Sequence, residues 1–162
     1  MIRFAERRLA SPAFFALFQE GMALVEETAA YLDGEGRAAS AALPRGRLAA
    51  YAQQSMRLST RLMQLASWLL LRRAVADGEM AEATARREAA KIDLTGPLRD
   101  IDAEALLPDP LTRLIQRSFE LQRHIAQFDA ALSAPSAGEN TGLRPNVVAG
   151  QIGQLRRAFE RG

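Results

Sequence analysis

Apolar positions in this chain recur at alternating spacings of three and four, the mark of helices that each bury one stripe. In "SPAFFALFQEGMALVEETAAYLDGEG" the series Phe14, Phe18, Gly21, Val25, Thr28 and Leu32 makes one seam, with Phe15, Met22 and Ala29 beside it. Ser11 is a good N-cap, Pro12 suits the first helical position, and Gly34 supplies a stop. A longer helix is predicted from about Arg47 to Ala76, roughly 45 Å from end to end. Its seam is Leu48, Tyr51, Ser55, Leu58, Leu62, Leu65, Leu69 and Ala76, interrupted at Arg72. A third helix starts near Pro110 and carries Leu111, Leu114, Ser118, Leu121, Ile125, Phe128 and Leu132 without a break.

The segments between these helices are of other kinds. Residues 35–46 read as a linker with a short helical turn. "EMAEATARREAAK", 79–91, is a polar helix, either separate or continuing the second helix through a kink at Gly78. "IDLTGPLRDIDAEALLPDP" holds Gly96, Pro97, Pro108 and Pro110 and reads as an irregular connection. After Leu132, "SAPSAGENTGLRPN" is small, polar and turn-rich, the composition of a flexible tail. "VVAGQIGQLRRAFERG" places Val148, Ile152, Leu155 and Phe159 on one face, a short terminal helix weakened by Gly150 and Gly153. No segment alternates as a strand would. The expected fold is all-α: an antiparallel, up-down three-helix bundle with a long central helix, a short accessory helix and a flexible C-terminal tail. The expected division is a bundle over 1–132 and a tail over 133–162.

The central helix has more apolar surface than two neighbours can cover. "STRLMQLASWLLLRR" sets Leu69, Leu70 and Leu71 side by side, about 100° apart around a helix. Met56, Met63 and Leu70 form a second stripe, and Trp68, Leu71 and Val75 a third. Either the helix is buried all round, or the bundle shares the Met56, Met63 and Leu70 stripe with a second subunit; the surplus favours a homodimer. A membrane does not account for it. The apolar run Ala66–Leu71, broken by Ser67, is far short of the ~20 residues of a spanning helix. "MIRFAERRLASP" lacks the apolar core of a secretory signal, so a cytoplasmic location is expected.

Composition narrows the chemistry further. Hydrophobic content of 48% and charged content of 25% suit a folded domain and exclude a disordered chain. Net charge is +2, and the arginine pairs are scattered among acids, so no basic block builds a nucleic-acid footprint. The terminal "QLRRAFERG" has the charge to touch phosphates, but no helix-turn-helix pattern accompanies it. Cysteine is absent, which removes disulfides, thiolate catalysis and zinc–cysteine sites. His124 is the single histidine; "HIAQF" lacks the lysine and glycine that follow a phosphotransfer histidine, and one histidine cannot furnish a ferritin-like di-metal site. No glycine-rich phosphate loop and no nucleophile–base pairing is found. Glu26 and Glu27 are adjacent on a helix and diverge by about 100°, so they read as a solvated face rather than a catalytic dyad. The residues give no enzyme, no metal and no cofactor.

Two blocks carry a family likeness: "FQEGMALVEETAAYLDGEGR", 18–37, and "LPRGRLAAYAQQSMRLSTRLMQLASWLLLRRAVADGEM", 43–80. Both resemble the alphaproteobacterial RcdA family, regulators of CtrA degradation, most closely in "GMALVEETAAYLDG" and "RLMQLASWLLL". The third helix resembles the family in position and pattern rather than in exact residues, and the tail matches least. The resemblance implies a dimeric three-helix bundle with a flexible tail, acting as an adaptor in cell-cycle proteolysis. In that family a CpdR-like response regulator primes the ClpXP protease, and the adaptor tethers cargo such as CtrA-like transcription regulators. A PopA-like cyclic-di-GMP effector joins to recruit them. The nucleotide belongs to that effector. The alternative readings are a degenerate phosphotransfer-like bundle, through His124, or a DNA-associated helical regulator, through the tail arginines.

A tether needs no reactive group; it raises local cargo concentration. A coil over 133–162 would add about 30 Å of reach. Helical geometry nominates its contact surface. Arg57, Arg61, Gln64 and Trp68 fall on one stripe beside the apolar seam, and arginine and tryptophan are frequent interface anchors. The competing reading packs Trp68 in the bundle and leaves the arginines solvated. Glu20, Glu26 and Glu27 on the first helix are second candidates.

Overall fold

The computed structural model describes residues 11–133, and six helical segments lie among them. They are α1 (Pro12–Asp33), α2 (Glu35–Ala41), α3 (Arg45–Ala76), α4 (Glu82–Ala89), α5 (Ile101–Glu104) and α6 (Asp109–Ser133). The expected tail beyond Ser133, the terminal helix and "QLRRAFERG" lie outside the described residues. Ser11 caps α1 as its sequence suggests, its hydroxyl accepting from the Phe14 N–H at 3.3 Å. Gly78 turns the chain at φ 75°, so α4 is a separate helix and not a kinked extension of α3.

The buried stripe of α1 is Phe14, Leu17, Gly21, Leu24, Thr28 and Tyr31. This corrects half of the expected seam: Phe14, Gly21 and Thr28 are inside, whereas Phe18, Val25 and Leu32 are half-buried on the flank. Both series step by three and four, so periodicity alone could not choose between them. The choice is made by neighbours on both sides of α1. On α6 the expected stripe is buried throughout, with Ile115 added to it. On α3, Leu48 is exposed and Ser55 half-buried, while Gln54 and Arg61 join the interior.

Direction along the bundle follows from the cross-contacts. Phe14, at the start of α1, meets Trp68 and Phe128, with ring centroids 6.4 and 5.7 Å away. Glu27, nearer its end, pairs with Arg117 at 2.6 Å. Helix α1 is therefore antiparallel to α6, and Gly36 wedged against both Tyr31 and Tyr51 shows the same relation to α3. Between α3 and α6 the pairs are Arg61 with Ser118 at 2.9 Å and Arg72 with Asp129 at 3.8 Å. Their numbers rise together, so α3 and α6 run parallel. The bundle is three-helical and all-α, but it is not the up-down arrangement expected from sequence. Parallel neighbours need a long crossover, and residues 77–108 supply it.

That crossover returns along α3. Glu82 accepts from Arg72 at 3.0 Å, Ile92 lies in one surface hollow with Leu70 and Leu71, and the 93–97 loop reaches Arg57 and Thr60. The Arg72–Glu82 pair explains the interruption in the α3 seam. Both side chains are buried, Arg72 also approaches Asp129, and Arg86 adds a second contact to Glu82 at 3.4 Å. Arg99 closes α5 with a bidentate grip on buried Glu104, at 2.8 and 2.9 Å, and this bond lifts the Arg99 pKa. Among the described residues no helix is long and apolar enough to cross a membrane.

Candidate functional site

The outer face of α3 is the candidate site. Met56, Met63 and Leu70 are 72, 69 and 54% exposed, one heptad apart. Ser59 and Ala66 fall between them and Ala52 precedes Met56, giving an uncharged seam of alternating large and small residues. Such a seam is what a facing helix packs into. One flank of it is an apolar groove of about 430 Å³ between α1 and α3, lined by Val25, Leu32, Leu62, Met63 and Leu70. Val25 and Leu32, two of the half-buried α1 side chains that pack on the edge of the core, therefore also form a groove wall.

The other flank carries charged and amide side chains among apolar ones. A groove of about 320 Å³ lies between α3, the 93–97 loop and α6, with Met56, Arg57, Thr60, Arg61 and Gln64 on its α3 side. The loop wall is built by Asp93, whose Oδ1 accepts from the Thr95 hydroxyl, the Thr95 N–H and the Gly96 N–H at 2.6, 2.9 and 3.0 Å. Those bonds, the Thr95 hydroxyl's first, hold its carboxyl below the usual range. Gly96 sits at φ 54°, where a side chain is disfavoured, and Gln122 donates to the Thr95 carbonyl at 2.9 Å. Sequence reasoning missed this loop as part of a site. Its signal was the run "DLTG", an aspartate that can bond the backbone two residues on.

Arg61 is 8% exposed. Its Nη1 donates to Ser118 Oγ at 2.9 Å, and its guanidinium stacks 3.7 Å from the Phe119 ring centre. Ser118 in turn donates to the Ile115 carbonyl at 2.6 Å. Burial pushes the Arg61 pKa down; Glu104 opposes the shift and Arg57 adds to it. Arg57 and Gln64 are half-buried on the groove rim.

The predicted contact stripe is therefore divided. Arg57 and Gln64 lie at the surface and Arg61 at the groove floor. Trp68 is fully enclosed and does not present an interface anchor. Its ring packs between Phe14 and Phe128, and its indole N–H donates to Asp129 at 2.9 Å. The stripe runs along the border of the core, and α6 offers Trp68 both an aromatic wall and an acceptor, which draws it inside. Nor are the arginines simply solvated, since Arg61 is buried and bonded. Glu20, Glu26 and Glu27 are exposed on α1, away from this groove, and Glu27 is engaged by Arg117. His124 is exposed on α6. Among the described residues no cluster of three histidine, cysteine or acidic side chains could hold a metal ion.

A protein family described as "Protein of unknown function (DUF1465)" matches residues 5–159. The chain is also similar to a solved structure described as the crystal structure of RcdA from Caulobacter crescentus CB15. The two share 44% identity and a TM-score of 0.62, over 75% of this chain and 92% of that one. No curated protein sequence matches.

Proposed function

Because the chain belongs to the RcdA family, we propose that it is a non-catalytic cytoplasmic adaptor that tethers cell-cycle regulatory cargo to the ClpXP protease. The observation that carries this reading is the 44% identity to RcdA across three-quarters of the chain. A CpdR-like response regulator primes the protease, CtrA-like regulators are the cargo, and a PopA-like cyclic-di-GMP effector assists delivery. The exposed α3 seam pairs with a second copy. The flank with Arg57, Arg61 and Gln64 receives a partner. Glu20 and Glu26 offer a second, acidic patch on α1.

What supports a tether is the kind of surface present. An uncharged helical seam and a flanking groove of charged and apolar side chains suit docking, and a tether acts by raising local concentration. The test is reconstituted degradation of a CtrA-like cargo by ClpXP and the priming regulator, with and without this chain. Faster cargo loss with the chain is expected. An unchanged rate with all partners present overturns the reading.

A further inference from the structure

Two arginines are buried on α3, and they differ in one respect. Arg72 is matched by Glu82 at 3.0 Å and Asp129 at 3.8 Å. Arg61, three turns earlier, has no ion-pair partner among the described residues. Its one hydrogen bond goes to a neutral hydroxyl. Glu104 acts on Arg61 only at a distance, since both its oxygens bond Arg99, and Asp93 on the opposite groove wall turns its Oδ1 to three donors of its own loop. A buried cation with no directly bonded counter-ion is costly. The cost is reduced when an anion arrives, because charge-assisted and bidentate bonds to a guanidinium are the strong ones.

The arrangement around Arg61 is already set for such an arrival. Stacking on Phe119 and the bond to Ser118 fix the guanidinium plane, so little side-chain freedom remains to be lost. Arg57 brings a second positive charge to the same groove, and Met56 and Pro97 bring apolar walls. A volume of about 320 Å³ lies at the small end of ligand sites, suited to one or two side chains. A pair of arginines with apolar walls favours a peptide over a nucleic acid, which needs an extended basic track.

We propose that the groove between α3 and the 93–97 loop binds an acidic peptide segment of a partner protein, with one side-chain carboxylate held by Arg61 and Arg57 and a neighbouring apolar side chain against Met56 and Pro97. This deepens the adaptor reading by naming what this flank accepts, and it rests on that reading for its biological use.

The test needs no protease, so the two readings fail separately. A short fluorescein-labelled peptide of alternating leucine and aspartate is titrated with the full chain by anisotropy, beside its leucine–asparagine counterpart and a short single-stranded oligonucleotide. The acidic peptide binds and the other two do not. Arg57→Gln, on the groove rim, weakens binding about tenfold, the loss expected for one charge-assisted contact. Arg61→Met abolishes it while helicity is retained; if that variant fails to fold, Arg57→Gln decides alone. Equal binding of the asparagine peptide, binding of the oligonucleotide only, no binding of the acidic peptide, or an unchanged affinity in Arg57→Gln overturns the proposal. Accelerated degradation without peptide binding leaves the adaptor reading standing and removes this one.

Discussion

Buried charge decides the character of single residues here. Glu82 and Arg72 neutralise each other inside the junction of α3 and α4. Removing Glu82 leaves buried Arg72 with only its longer contact to Asp129, so Glu82→Ala is expected to cost up to ~3 kcal/mol in urea unfolding, at or below the loss for a fully stranded buried charge. Arg72→Met combined with Glu82→Leu should recover most of that loss, since an apolar pair of similar volume is about as stable. A double variant no better than the single one would show that shape, not charge, holds the junction. The interruption at Arg72 was visible in the sequence as a break in the seam, but its partner was not, because periodicity reports a face and says nothing of what arrives there. Trp68 teaches the same limit. Its residue type pointed to an interface, whereas the acceptor on Asp129 and the rings of Phe14 and Phe128 gave it a place inside.

At the scale of elements, the three long helices were legible because caps and apolar spacing agree locally. Which of two equivalent stripes on α1 turns inward was not legible, because it depends on both neighbours at once. Nor was the parallel relation of α3 and α6, which follows from how the 77–108 crossover returns along α3. Helix α2 shows how tightly the turn between α1 and α3 is made. A methyl group on Gly36 would lie 2.6 Å from the Tyr51 hydroxyl, 2.7 Å from the Tyr31 ring and 2.8 Å from the Tyr31 carbonyl. The carbonyl cannot yield without moving α1. Gly36→Ala is therefore expected to lower stability by ~1–3 kcal/mol, despite alanine's better helix propensity. Thermal melts followed by circular dichroism check this, and an unchanged or raised midpoint would contradict the crowding.

For the whole molecule, the outer face of α3 is where the proposed pairing is tested. The stripe of Met56, Met63 and Leu70 was legible as a surplus of apolar positions, and all three residues are exposed in the single chain. The small residues that alternate with them were in the same heptad and went unread, since alanine and serine carry little hydrophobic signal. A second copy packed on this seam predicts a two-chain mass by light scattering, reduced to one chain by Met63→Glu with Leu70→Glu. The melt should hardly change at concentrations where both proteins are single chains, because neither side chain supports the core. A single-chain mass for the unaltered protein at high concentration would remove the pairing.

In the proposed reading the groove on the other flank receives a second partner, as bridging requires. Bridging has a kinetic signature that simple activation lacks. When the bridge is in excess, protease and cargo are each occupied by separate copies and no longer meet. The decisive measurement is the rate of CtrA-like cargo degradation by primed ClpXP as this chain is titrated from substoichiometric to large excess. A rate that rises and then falls is the predicted result; a rate that stays flat, or climbs to a plateau and holds, would contradict a tether.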